Sequence, residues 1–354
     1  MPKNITWIVN NITQVGGIER VVCNISNYLQ DNNYHIKIVS LNTAGGKAYF
    51  KLSPKVKIQH LGYPESENLN RKKLKAAIKD FLINENGESE VLITCHPWIA
   101  MPILQQKKLY QGKIISTEHA TWEYHSKKRR VLNVVFYRRA DRLVVLSENA
   151  RSIYQKYGLK NVTVIPNIIT DYPEKLAPLQ KKELIAAGRL TEVKGFDRLI
   201  KAISLIKDSF NPWHLTIYGN GEDDLMLHNL IKENGLEEQI TIADFTDRIQ
   251  EKIHNCSGFI ISSHTEAFPM VALEALSNGV PVISFNIPSL KEIDQGKGNI
   301  IFAEQDNIED LARKINSFIH SSNISARGIE ARAISLSYSL ENIGPKWLNL
   351  LEML

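Results

Sequence analysis

Nowhere in the chain do 18 apolar residues follow one another, so no segment reads as a membrane-spanning helix. The N-terminus passes from Met1, Pro2, Lys3 and Asn4 straight into an apolar stretch at 5–9, too short and polar for a secretory signal, and a cytoplasmic location is expected. Cysteine is scarce: Cys23, Cys95 and Cys256 stand far apart without a Cys-x-x-Cys pair, which excludes a disulfide framework and a cysteine-based zinc site. The dinucleotide fingerprint Gly-x-Gly-x-x-Gly is missing too, and no cofactor is expected. An Asp-x-Asp pair after a strand is also lacking. Glu222, Asp223 and Asp224 read as the acidic start of a helix, where they complement its dipole, so no metal site is expected. No recognised nucleic-acid module accompanies the basic residues, and nucleic acid is not an expected partner.

What is present has the balance of a soluble globular protein, 43% hydrophobic and 23% charged, and 354 residues suit two domains of ordinary size. The net charge of +5 is unevenly spread. Residues 1–170 hold 25 Lys and Arg against 12 Asp and Glu, an excess of 13, whereas 171–354 hold 18 against 26, a deficit of 8. A basic first half implies an anionic partner such as a membrane surface or a pyrophosphate. Lys127, Lys128, Arg129 and Arg130, then Arg138 and Arg139, bracket Leu132, Val135 and Phe136. This spacing predicts an amphipathic basic helix suited to an anionic bilayer or a lipid pyrophosphate, the alternative being a solvated charged face.

Short apolar runs alternate with helical patterns throughout. Strands are expected at 5–9, 35–41, 91–95, 113–117, 143–146 and 162–165, and again at 184–187, 215–218, 240–243, 259–262, 282–285 and 300–303. Continuous apolar strands alternating with helices imply parallel sheets covered on both faces, hence two Rossmann-like domains. Residues 170–178, with two prolines, read as the linker. The expected domains are 1–170 and 171–330, followed by terminal helical sequence at 331–354. Ligands in such sheets lie at the carboxyl ends of the strands, here in a cleft between the domains.

The candidate site residues obey that rule. Glu266 and Glu274 straddle a helix start marked by Pro269 and stopped by Asn278 and Gly279, with Glu274 about 7.5 Å further along the axis at 1.5 Å per residue. The helix N-terminus between them would receive a phosphate or polar substrate oxygen, with Phe268, Met270 and Val271 at its entrance. Val271, Ala272, Leu273, Ala275 and Leu276 make this helix apolar on most sides, so Glu274 is expected to be buried and partnered. Arg189 and Lys194 flank a loop ending in Gly195 and could converge on one anion. Gly16 and Gly17 follow the first strand and open a helix, allowing close backbone approach to a ligand. His119 ends a strand, with a structural role as the alternative to a functional one.

These segments carry a resemblance. Glu266 to Glu274 resembles the E-x7-E motif of retaining GT-B glycosyltransferases of family 4, and 184–197, with Gly188, Arg189, Leu190, Lys194 and Gly195, resembles their phosphate-binding segment. Gly16, Gly17, Glu19 and Arg20 are similar to their N-terminal turn, and Thr117 to His119 and Val164 to Asn167 also fit. The sequence departs from the family at Ala267, Asn286 and Thr246-Asp247. The resemblance implies a GT-B fold, an acceptor-binding first domain, a donor-binding second domain, and a last helix that crosses back to the first domain, with Trp347 near the hinge. It implies transfer of a hexose or N-acetylhexosamine from a UDP-sugar to a hydroxyl acceptor with retention and without metal. Glu266, His119, Arg189 and Lys194 would be catalytic, and Gly16, Gly17, Phe268, Met270, Val271 and Glu274 would bind donor with Arg189 and Lys194. The acceptor expected is a lipid-linked glycan at the inner membrane face, met through the six basic residues between Lys127 and Arg139. The rivals are another GT-B sugar-nucleotide enzyme of the 2-epimerase kind and an idle homologue serving as partner subunit.

Overall fold

The computed structural model describes residues 3–42, 45–63 and 71–354, with side chains from residue 73 in the last segment. The chain forms two compact units, Met1–Ile168 with Leu340–Leu354, and Ile169–Ser339.

The first unit is built on strands β1 (Asn4–Val9), β2 (His35–Ser40), β3 (Lys57–His60), β4 (Val91–Thr94), β5 (Lys113–Glu118), β6 (Arg142–Val145) and β7 (Val162–Val164). They form one sheet in the order β3-β2-β1-β4-β5-β6-β7, every pairing parallel. The second unit carries β8 (Glu183–Ala187), β9 (His214–Tyr218), β10 (Ile240–Ala243), β11 (Gly258–Ile261), β12 (Val282–Phe285) and β13 (Ile300–Ala303), in the parallel order β10-β9-β8-β11-β12-β13. The expected doubly wound parallel architecture is the one observed. Its central strands are buried on both faces, as their uninterrupted apolar runs require: β4, β11 and β12 are buried throughout.

β3 was not foreseen from the sequence. It lies at a sheet edge, alternates Lys57, Ile58, Gln59 and His60, and is nowhere fully buried, so it lacks the apolar run that marks its neighbours. Both sheets reverse their winding direction once, between β1 and β4 in the first and between β8 and β11 in the second. The crevice at such a reversal is where doubly wound sheets take ligands. Gly16 follows β1, Arg189 and Lys194 follow β8, and Glu266 follows β11, so four of the sequence-marked residues stand at these two reversals.

The end of the chain divides. The helix Ile324–Leu336 stays with the second unit, where Arg332 Nη1 donates to the carbonyls of Pro173 at 3.0 Å and Ser277 at 2.7 Å. The helix Leu340–Glu352 belongs to the first unit, and buried Trp347 packs against Trp7 of β1 with ring centroids 5.5 Å apart. A tilted pair of large buried rings provides apolar burial and a favourable edge contact together.

Candidate active site

In the second unit two sequence-distant loops meet. After β8 the chain passes through Gly188, Arg189 and a single 3-10 turn, Glu192–Lys194, then through left-handed Gly195 (φ +62°) into the helix Phe196–Ser204. After β11 it passes through Ser262 to Pro269, and Pro269 caps the helix Met270–Ser277 rather than lying inside its first turn. Because β8 and β11 are neighbours in the sheet, Lys194 and Glu266 come within 2.6 Å although 72 residues separate them. Ser263 Oγ donates to the same Glu266 oxygen at 2.7 Å, and Ser289 Oγ donates to the Glu266 carbonyl at 2.7 Å.

Backbone ties hold the two loops in register. Ser262 Oγ donates to the Lys194 carbonyl at 2.9 Å, and the His264 N–H donates to the Val193 carbonyl at 2.8 Å. Beneath them buried Arg198 donates to the Ser262 carbonyl, pairs with Asp306, and lies 4.4 Å from the Phe285 ring centroid. Burial lowers the Arg198 pKa from its usual value, against the pull of Asp306, and the guanidinium remains a cation. Arg198 escaped the sequence reading, because a basic residue near a helix start ordinarily points to solvent. Only the packed sheet turns it inward.

Gly219 and Gly221, after β9, stand where a side chain has no room. A Cβ on Gly219 would stand 1.9 Å from the Gly188 carbonyl oxygen, so the β8 and β9 loops close on one another only because that side chain is absent.

The remaining donor-side residues separate by burial. Arg189 is exposed, whereas Lys194 and Glu266 are part-buried and Glu274 is buried within its helix. Phe268 is buried and packs edge-on against Tyr338 at 5.5 Å, so its ring serves the core. Met270 and Val271 remain half-buried at the helix entrance.

In the first unit Gly16 caps the helix Gly17–Asp31 in an extended conformation, and buried Glu19 turns its carboxylate back to it; a Cβ on Gly16 would stand 2.0 Å from Glu19 Oε2. This helix start is therefore not bare: it already faces a carboxyl group, whose pKa is raised by burial. His119 follows β5, half-buried, with Nε2 2.9 Å from Thr117 Oγ1. His96, which the sequence reading passed over, caps the helix Pro97–Gln105 after neighbouring β4 and buries Nε2 without a hydrogen-bond partner. Buried Glu118 accepts from the Ala120 N–H at 3.0 Å and the Tyr137 and Tyr154 hydroxyls at 2.9 and 3.2 Å, with His125 Nε2 at 3.4 Å. Burial pushes its carboxyl pKa up, but His125 and these donors together hold it below the usual value.

Burial, then the nearby His96, depress the His119 pKa to about 4, although Glu118 pulls the other way. An unfolded chain protonates this group near pH 6.5 and the folded chain does not, so its contribution lowers stability as pH falls from about 6.5 to 4 and is absent above that window. His119→Gln is expected to shrink the loss of unfolding free energy between about pH 7 and about pH 4.5 by roughly 1–3 kcal/mol, at 1.36 kcal/mol per pKa unit. Urea titrations of both proteins at the two pH values measure it, and an equal acid loss would show that His119 titrates normally.

The predicted basic helix runs from Lys127 to Tyr137, capped by Ser126 Oγ, which accepts from the Arg129 N–H at 3.3 Å. Its cations are not alike. Arg130 folds inward, donating from Nε to the Trp122 carbonyl at 2.9 Å with its guanidinium 5.6 Å from the Trp122 ring. Arg138 and Arg139 donate to the Tyr157 and Leu104 carbonyls, and Lys127 and Lys128 are exposed. Four cations in the first turn oppose the helix dipole, a cost of about 0.3–1 kcal/mol each.

Among the described residues no helix is long and apolar enough to cross a membrane, and no group of three or more His, Cys, Asp or Glu is placed to hold a metal ion.

Comparison with known proteins accounts for both halves. Residues 15–171 match the family described as Glycosyltransferase Family 4, and residues 168–333 match Glycosyl transferases group 1. An uncharacterized glycosyltransferase of Haemophilus influenzae is 27% identical over 99% of this chain and 100% of its own length. The amylovoran biosynthesis glycosyltransferase AmsD of Erwinia amylovora is 27% identical over 97% of this chain and 98% of its own. A TarM variant from S. aureus, solved with fondaparinux, α-GlcNAc-glycerol and UDP, superposes with a TM-score of 0.84 at 16% identity, covering 98% of this chain and 99% of that one. With matches spanning residues 15–333 and two doubly wound parallel sheets, the chain belongs to the GT-B glycosyltransferases.

Proposed function

We propose that this chain is a retaining glycosyltransferase that moves a hexose or N-acetylhexosamine from UDP to a hydroxyl of a lipid-linked glycan, in the synthesis of a surface polysaccharide or glycoconjugate. The observation that carries the reading is the Lys194–Glu266 pair at 2.6 Å, set at the reversal of the second sheet beside exposed Arg189. An ammonium has three donors; Glu266 takes one, and the others are available to a diphosphate. The names of AmsD and of the TarM complex with UDP support a sugar-nucleotide donor and a glycan product.

In this reading the second domain binds the donor and the first the acceptor. Lys194 and Arg189 neutralise the diphosphate, and the first free N–H groups of the helix Met270–Ser277 receive a phosphate oxygen. Glu274 accepts from the ribose and Glu266 from the sugar. His119, neutral at physiological pH, hydrogen-bonds a sugar hydroxyl, and Gly16 and Gly17 permit close backbone approach. The bond from the anomeric carbon to phosphate oxygen breaks while the acceptor oxygen bonds to that carbon on the same face, and the acceptor proton passes to the departing phosphate. The helix Lys127–Tyr137 lies against the inner membrane face.

The product is expected to keep the donor's anomeric configuration, and activity is expected to survive exhaustive EDTA treatment. One NMR-monitored reaction reads both. An inverted product, or activity restored only by Mn²⁺ or Mg²⁺, would overturn the mechanism.

A further inference from the structure

A groove of about 790 Å³ runs over the first unit between the helices Arg71–Glu85, Pro97–Gln105 and Lys127–Tyr137. Its volume is that of a small-molecule site. Trp98, Met101, Leu132 and Phe136 make its walls apolar, while Lys75, Lys128 and Arg129 supply three cations and, among the described residues, no acidic side chain lines it. Arg129 Nη1 donates to the Met101 thioether at 3.2 Å, a weak acceptor for a strong donor. An ionised oxygen would be a better partner. Trp98, in its wall, holds its ring 6.1 Å from that of His96, which follows β4 at its carboxyl end. Beside it, Tyr124, Val131 and Val135 are 72%, 64% and 49% exposed, an apolar strip among Lys127, Lys128 and Arg138.

We propose that this groove holds one hydrocarbon chain of a phosphate-headed membrane lipid, with the phosphate on Arg129 and Lys128 near the carboxyl edge of the sheet. The apolar walls match a chain and the three lining cations match its headgroup, while the exposed strip matches the bilayer from which the lipid enters. The site deepens the lipid-linked acceptor reading and rests on it: it would keep the acceptor's carrier beside the first sheet instead of merely attaching the enzyme to a surface.

Farnesyl phosphate, below its micellar concentration, tests the site on the full chain by calorimetry. It is expected to bind at least about tenfold more tightly than farnesol or inorganic phosphate, a difference of about 1.4 kcal/mol. Arg129→Gln and Leu132→Gln are each expected to weaken it at least about fivefold, while Arg129→Lys retains most of the affinity, which separates lost charge from lost fold. Equal affinity for farnesol, or unchanged binding in both glutamine variants, would overturn the proposal. So would flotation of the wild type with anionic vesicles without binding of the soluble probe, since the helix would then meet only a bilayer surface. Wild-type hydrolysis of a UDP-sugar, measured apart, decides the transferase reading on its own, so either reading can fail while the other stands.

Discussion

Lys194→Ala is expected to lower turnover of the sugar nucleotide by about 10²–10³-fold, the loss seen when one preorganised donor to a developing anion is removed. The expectation rests on where the ammonium is held. Its carbonyl is fixed by Ser262 Oγ, its neighbour Val193 by the His264 N–H, and its charge by Glu266 at 2.6 Å. A cation so placed needs little reorganisation as charge gathers on the leaving phosphate, which is why its removal should fall on kcat more than on binding. The fold should barely change, because Lys194 is 28% exposed and a part-exposed ion pair contributes only about 0–1 kcal/mol. Glu274→Ala is expected to cost at least about tenfold, about 1.4 kcal/mol of transition-state stabilisation. Initial rates beside melting curves check both variants. Wild-type turnover in folded Lys194→Ala would remove this residue from the chemistry.

Gly195→Ala should produce the largest loss of stability, about 2–5 kcal/mol. Its φ of +62° is left-handed, and a Cβ there would stand 2.3 Å from the Ser262 carbonyl oxygen and 2.7 Å from Arg198 Nη2. The left-handed conformation costs a side chain about 1–2 kcal/mol and overpacking about 1–3 more. Gly296→Ala is the matched control: its φ is +70° but nothing lies within 4 Å of the added Cβ, so only the conformational cost of about 1–2 kcal/mol should appear. Denaturant midpoints of the two variants read the difference. If both lose equally, the contact with the Ser262 loop carries no energy and Gly195 is there for its backbone alone. A strained Gly195 should also shift Lys194, its neighbour, so Gly195→Ala is expected to lower turnover as well.

Most of this architecture can be read along the chain. Parallel strands buried on both faces show as apolar runs, and among the described residues twelve of the thirteen strands announce themselves in that way, leaving the half-polar edge strand β3 silent. Residues whose role is local are equally legible. Gly195 ends a loop, Asn278 and Gly279 stop a helix, and Glu266, Arg189 and His119 follow strands, because each of these depends on backbone geometry within a few residues.

What depended on the tertiary structure is every relation between strands far apart in sequence. The adjacency of β8 and β11 brings Lys194 to Glu266, and a strand's own residues say that it is buried without naming its neighbour. Arg198 reads as a surface cation until Ser262, Asp306 and Phe285 close around it. Glu19 reads as an ordinary first-turn acid until its burial places a carboxyl group at the turn where a ligand was expected to approach. Arg130 belongs to a basic run, yet Trp122 draws it inward while Lys128 and Arg129 line a groove that no single helix contains. Local spacing specifies which backbone a segment adopts; the pairing of charges and the shape of a cavity are sums over segments that meet only when the chain is folded, where burial makes the choice of partner decisive.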